Sequence, residues 1–353
     1  MQKLQDAVQI GHKTTPNRLL MPPLVCFNWA DPNGYETVSR AWHYGLRAEA
    51  GTGTIVVEAA AISPDSRIID TELGIWEDGH IDQYKRIADA CHKHDSLVFV
   101  QLVHAGMKSF GDVVYSSSVN EVKNKTCHAM TLDQIDQVKA DFVAAAVRAE
   151  KAGLDGVEIH GAHGYLLSQF TSSVTNHRTD QYGGSIENRH RLTLEIVEAV
   201  KEAVGRDFLI TYRFGVNDPT FAEDIDLAKK LEAAGVTLLN VSSGIGSESL
   251  EAPEDFDFHK ITYMGKVIRD HVTIPVASVY GLKKPEDAMQ LVEKDHTDLV
   301  AIGRGLLADP QWSQKALAGQ AVDVCARCKP WCKFAKDGFS CPWYVKRGVT
   351  EAI

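Results

Sequence analysis

Short runs of β-branched and apolar residues recur along the chain. Each is followed by a stretch whose apolar positions return every three or four residues. The runs are LLMPPLV near 19–25, GTIVVEA near 53–59, LVFVQLV at 97–103, GVEIH at 156–160, FLITYRF at 208–214, VTLLNVSS at 236–243, IPVASV at 274–279 and DLVAIGR at 298–304. They read as eight strands. Between them, LDQIDQVKADFVAAAVRAEKAG has helical periodicity and ends on Gly153, the residue type that most easily closes a helix. LTLEIVEAVKEAVG and DLAKKLEAAG repeat the device, and KPEDAMQLVEKD is similar without the terminal glycine.

Strands that alternate with helices form parallel sheets, because parallel neighbours need a crossover between them. Eight such units predict a closed (β/α)8 TIM barrel, an α/β fold. An open doubly wound sheet ranks second, since no G-x-G-x-x-G follows the first strand. No linker or low-complexity segment interrupts the rhythm. The simplest division is a barrel over 1–320 with a cysteine-rich tail over 321–353 packed on it.

Composition narrows the function. Apolar residues make up 44% and charged residues 24%, as in ordinary globular proteins. No apolar run approaches the ~20 residues of a membrane helix. The N-terminus MQKLQDAVQI lacks a signal core, so a cytoplasmic protein is expected. The formal net charge of −10 argues against nucleic-acid binding. The expected partner is a small molecule.

A barrel carries its chemistry at the C-terminal ends of its strands. Unusual residues fall there: Cys26, Glu58 and Ala59, Gln101, His160, Arg213, Ser242 and Ser243, Ser278, and Gly303 with Arg304. Gly281 and the Gly303-Arg304 pair follow strands seven and eight, where this fold usually cradles phosphate. HGAHGYLL follows strand four and offers His160, His163 and Tyr165. The histidines could ligate zinc, or donate hydrogen bonds to a developing oxyanion with Tyr165 as proton donor. Spacing alone does not choose between these.

HGAHGYLLSQFTSSVTNHRTDQYGGSIENRHRLTLEIVEAV strongly resembles the signature of the Old Yellow Enzyme family of flavin-dependent ene-reductases. Its most specific part is NHRTDQYGGSIENRHR at 176–191. MPPL, VQLVHAG, PVASVYGL and DLVAIGRGLLADP resemble the same family in the same order, so the likeness covers about 1–345. The resemblance implies non-covalent flavin mononucleotide (FMN), reduced by NADH or NADPH without a dinucleotide fold. It places Pro23, Leu24, Cys26, Ala59, Gln101, Arg213 and Ser278 around the cofactor, and Gly281, Gly303 and Arg304 at its phosphate. Arg213 would stabilise the reduced ring and Cys26 would tune its potential. His160 and His163 would bind the substrate oxygen, and Tyr165 would protonate the carbon opposite the one that takes hydride from flavin N5. The implied reaction is reduction of activated C=C bonds in enones, nitroalkenes or quinone-like acceptors.

The tail reads C-x2-C-x3-C-x8-C at Cys325, Cys328, Cys332 and Cys341, a set able to enclose zinc or a [4Fe-4S] cluster. Its first three cysteines are similar to the 2,4-dienoyl-CoA reductase branch, where the fourth gap is about eleven residues. That branch continues into further cofactor domains, whereas this chain stops at 353. The loop GIGSESLEAP after strand six also lacks the Trp-His pair of that branch. Close relatives are dimers or tetramers, so the resemblance implies a homo-oligomer; some place a C-terminal arginine in a neighbour's site, and Arg347 is the candidate here. Two other classes remain open: a zinc-dependent barrel hydrolase using His160 and His163, and a flavin-binding redox sensor reporting through the tail.

Overall fold

The computed structural model describes residues 2–218, 220–330 and 332–350. Eight parallel strands close into a barrel: β1 (Leu19–Met21), β2 (Thr54–Ala61), β3 (Leu97–Val103), β4 (Gly156–Gly161), β5 (Leu209–Val216), β6 (Leu239–Ser243), β7 (Val276–Val279) and β8 (Leu299–Ala301). The ring closes where Val300 of β8 pairs with Leu19 of β1 and Leu20 of β1 pairs with Thr54 of β2. This is the (β/α)8 TIM barrel that the strand–helix rhythm predicts. Ile10, from a short hairpin (Val8–Ile10 with Lys13–Thr15), joins Leu20, Val56, Phe99, Leu209, Leu238, Ala277, Leu299 and Ala301 in one inner core.

The strand ends differ from the sequence reading for local reasons. The first run continues to residue 25 in apolarity, yet β1 stops at Met21, because Pro22 and Pro23 have no N–H to donate to a ladder. Strand β5 runs past Arg213 to Val216, so Arg213 is set inside the strand. In β2 the register shifts between Val57 and Ala59. Such a bulge re-aims a side chain, and here Glu58 meets Arg40 of the first helix, α1 (Arg40–Glu49), at 3.0 Å. Both groups are essentially fully buried.

The outer helices begin and end as their sequences dictate. The 132–151 helix starts at a capping box, Thr131 with Gln134, and the chain leaves it through Gly153 at φ +79°. The helix Ile186–Ala203 starts at Ser185, whose hydroxyl accepts from Asn188 N–H. It begins earlier than the apolar periodicity alone marks. Among the described residues no helix is long and apolar enough to cross a membrane.

The tail folds back onto α1 and the loop after β1. Phe334, Cys341 and Tyr344 are buried. Trp29 lies 5.6 Å from Phe334 and 5.1 Å from Phe339, ring centre to ring centre. The Tyr344 hydroxyl is 3.4 Å from both Arg47 Nη2 and His43 Nδ1. Gly338 has no side chain because a Cβ there would sit 2.0 Å from the Trp29 ring.

Candidate active site

Three neighbouring strands supply the centre of the site. Register places His160 of β4 beside Arg213 of β5, and Gly215 of β5 beside Ser242 of β6. Beyond β4 the chain turns sharply. Gly161 is required because a Cβ would overlap the Tyr212 hydroxyl at 1.8 Å. His163 then takes a left-handed conformation, φ +60°, which costs a non-glycine residue energy unless neighbours hold it. Two bonds do so. His163 N–H donates to Ser243 O at 2.9 Å, and Lys108 Nζ donates to His163 O at 2.6 Å.

The turn brings His160, His163 and Tyr165 together. Ring centres are 5.0 Å apart for the two histidines and 4.9 Å for His160 and Tyr165. His160 Nε2 is 3.3 Å from His163 Nδ1, and His163 Nε2 is 2.8 Å from Ser242 Oγ. Burial, followed by the positive charges of Arg213 and Lys108, holds His163 at a pKa of about 3. Burial pushes His160 down as well, helped by His163 and Arg213. Both rings are therefore neutral at physiological pH. Tyr165 is pushed up to about 12 by burial and by Glu72, so its phenol keeps its proton.

Beneath this group lies a buried polar floor. Gln101 Nε2 donates to Glu158 Oε1 at 2.7 Å, and Asn240 Nδ2 donates to Glu158 Oε2 at 2.8 Å. Burial raises the Glu158 pKa, while the nearby Arg213 charge opposes that shift. The Arg213 guanidinium is buried, yet its Nε and Nη1 have no acceptor among the described residues. Unpaired buried donors are costly, and they mark where an acceptor-bearing group fits.

A cavity of about 360 Å³ runs from His163, Arg213 and Ser242 past Pro23 and Leu24 to Gly281, Gly303 and Arg304. Lys283 and Arg327 also line it, so the cavity carries cations as well as apolar wall. Gly281 is at φ +81°, a left-handed turn that favours glycine. An elongated slot with apolar walls, orphaned guanidinium donors and cationic lining fits FMN. Of the residues expected around the cofactor, Pro23, Leu24, Arg213, Gly281, Gly303 and Arg304 line this cavity. Ala59 pairs with Gln101 across β2 and β3, both nearly inaccessible.

Cys26, Ala59, Gln101 and Ser278 are not among the lining residues of this cavity. The Cys26 thiol is fully buried, with its backbone N–H donating to Glu58 Oε2 at 2.6 Å. Burial and Glu58 raise its pKa well above the usual thiol range. The Ser278 side chain faces outward against Gly265 of the helix Lys260–Arg269, while Ala277 faces the inner core. Its position near the top of β7 carries no information about which face it takes.

The metal expectations are corrected. Among the described residues no three or more His, Cys, Asp or Glu side chains are placed to hold a metal ion. His160 and His163 have no third ligand among the described residues, and they face the Arg213 and Lys108 charges, which disfavour a cation. Cys325, Cys328, Cys332 and Cys341 line one cavity of about 370 Å³ as free thiols. Close spacing in sequence brings them to the same cavity, where burial and the other three thiols push the Cys341 thiol up. Arg347, the arginine considered for a neighbouring site, binds Asp323 of its own chain at 2.6 Å and covers the Trp343 ring.

Glu158, Asn240 and Lys108 were not singled out from sequence. A carboxylate inside the apolar run GVEIH was the available signal for Glu158. Lys108 lies in an aperiodic loop and had none.

Comparison with known proteins agrees with the fold. Residues 3–322 match the NADH:flavin oxidoreductase / NADH oxidase family. The chain is 37% identical over 311 residues to an NADPH dehydrogenase of Bacillus pumilus, covering 86% of this chain and 90% of that protein. It is 35% identical to an NADH oxidase of Thermoanaerobacter brockii over 92% of this chain. The match spans only 52% of that longer protein. Among solved structures, morphinone reductase in complex with tetrahydroNAD superposes with a TM-score of 0.77 at 27% identity, covering 93% of each chain.

Proposed function

Since the chain belongs to the NADH:flavin oxidoreductase / NADH oxidase family and is an NAD(P)H:flavin oxidoreductase, we propose that it is an FMN-dependent ene-reductase. It reduces C=C bonds activated by a carbonyl or nitro group. Residues 1–320 form the cofactor barrel, and 321–353 an appendix to it. What supports the reading is one convergence: neutral His160 and His163 cluster with protonated Tyr165, and His163 lines the same cavity as Arg213 with its orphaned donors.

Bound FMN supplies hydride transfer between nicotinamide and acceptor. The chain does the rest. Arg213 offers Nε and Nη1 to the acceptor-rich edge of the ring and stabilises negative charge there. Gln101, fixed by Glu158, presents its remaining amide atoms to the same edge. Gly281, Gly303 and Arg304 hold the phosphate. His160 and His163 take the substrate oxygen and polarise the double bond. The Tyr165 hydroxyl gives its proton to the carbon that becomes a carbanion, and its high pKa keeps that proton in place until then.

The test is spectroscopic. Purified protein should be yellow and release FMN on denaturation, and NAD(P)H should bleach it until an enone restores the colour. A simple phenol should add a long-wavelength band, and replacing both His160 and His163 by alanine should abolish it. Colourless protein would end the FMN reading. A band that survives the double replacement would end the oxygen-binding role of the histidines.

A further inference from the structure

The hydrogen-bond chain through the two histidines has a fixed beginning and a reversible end. Ala162 N–H donates to His160 Nδ1 at 3.2 Å. A backbone N–H is always a donor, so the His160 ring proton is on Nε2. That Nε2–H faces His163 Nδ1, and His163 Nε2 faces Ser242 Oγ. Ser242 is buried, and its hydroxyl can accept or donate.

Two arrangements satisfy this geometry. In the first, His163 is protonated on Nε2 and donates to Ser242, while its Nδ1 accepts from His160. Every ring nitrogen then has a partner, and neither histidine has a donor to spare. In the second, Ser242 donates to Nε2, and the His163 proton is on Nδ1. Two N–H groups then point at one place, which is unfavourable when empty and favourable when an anionic oxygen sits there. The ring carries one proton in both cases. Water takes the proton from one nitrogen and returns one to the other.

Resting on the ene-reductase reading, we propose that Ser242 is a positioning residue that reverses its hydrogen bond to His163, so that the histidine pair presents two donors only when a substrate oxygen is bound. The site thus recognises acceptors whose oxygen gains negative charge: carbonyls, nitro groups and phenolates. A rigid backbone favours this route over ring displacement, because Lys108 and Ser243 hold both peptide groups of His163. The neutral state of His163 agrees with a tautomer change rather than protonation.

The experiment uses the FMN-loaded enzyme with ¹⁵N-labelled histidine, its His163 signals assigned with His163→Asn. Long-range ¹⁵N–¹H spectra distinguish a protonated from an unprotonated ring nitrogen. Without ligand, His163 should carry its proton on Nε2; saturated with p-hydroxybenzaldehyde, on Nδ1. Ser242→Ala should weaken binding of that phenol about tenfold, because the bond Ser242 donates to a ring polarised by the phenolate is stronger than the bond it accepts in the free enzyme. Ser242→Thr should restore both the tautomer change and the affinity. The same tautomer with and without phenol in the wild type would overturn the proposal, as would wild-type affinity in Ser242→Ala. The wild-type spectra decide even where a variant fails to fold. A tautomer change accompanied by no enone reduction would keep Ser242 in this role and overturn the ene-reductase reading instead.

Discussion

At the mouth of the barrel, His160, Arg213 and Ser242 come from segments far apart in sequence and meet through strand register. In the tail, Cys325, Cys328, Cys332 and Cys341 are close in sequence and share a cavity without forming a ligand set among the described residues. Register is enforced by a ladder in which a one-residue slip turns every side chain to the other face. Spacing along an irregular segment has no such enforcement. The tail's fixed geometry comes instead from its aromatic residues, Phe334, Phe339 and Tyr344, set against Trp29 and His43.

The contrast can be broken from either side. Tyr344→Ala removes a fully buried ring and its contacts with Arg47 and His43. It should cost about 3–5 kcal/mol of unfolding free energy in urea titrations. A loss within error would show that the tail is not part of the cooperative core. Tyr165→Phe should slow reoxidation of the reduced enzyme by an enone about 10²-fold, the usual worth of a placed acid. Stopped-flow traces should show reduction by NADPH spared. Equal slowing of both half-reactions would mean that Tyr165 shapes the cavity rather than moving a proton.

Stability against pH sharpens the picture of the mouth. His163 ordinarily titrates near 6.5 and is held at about 3 in the fold. Above 6.5 it is neutral folded or unfolded and contributes no slope. As pH falls below that value the unfolded chain binds a proton that the folded chain refuses, so stability drops by about 1.4 kcal/mol per pH unit. His163→Gln should make the stability–pH curve shallower by that amount between about pH 6 and 4. An unchanged slope would place the ring in solvent. The smallest effect is expected at the cysteines. A strong chelator should leave flavin content and melting temperature unchanged, whereas iron or zinc at one equivalent per chain would make the tail a built site after all.

Much of this was legible in the sequence because it depends on period. Eight apolar runs and glycines at helix ends follow from local chemistry. The His160, His163 and Tyr165 cluster stood out because it is compact in sequence. What was hidden depends on facing. Ser278 sits near the end of β7 as expected, but only the register reveals that Ala277 takes the inward place. Glu158 and Asn240 are polar residues inside apolar strands, and their joint floor with Gln101 appears only when β3, β4 and β6 are side by side around the barrel. Lys108 reaches His163 across a loop whose path no periodicity describes.

The bulge in β2 has an effect out of proportion to its size. With one supernumerary residue, the strand sends its carboxylate sideways to anchor Arg40 and the Cys26 backbone, and a bare methyl group is left next to Gln101. Deleting Glu58 would restore an even ladder and leave a buried guanidinium without its counter-charge. The contacts that hold Arg40 and the Cys26 backbone thus depend on a carboxylate for which a perfectly even ladder has no place.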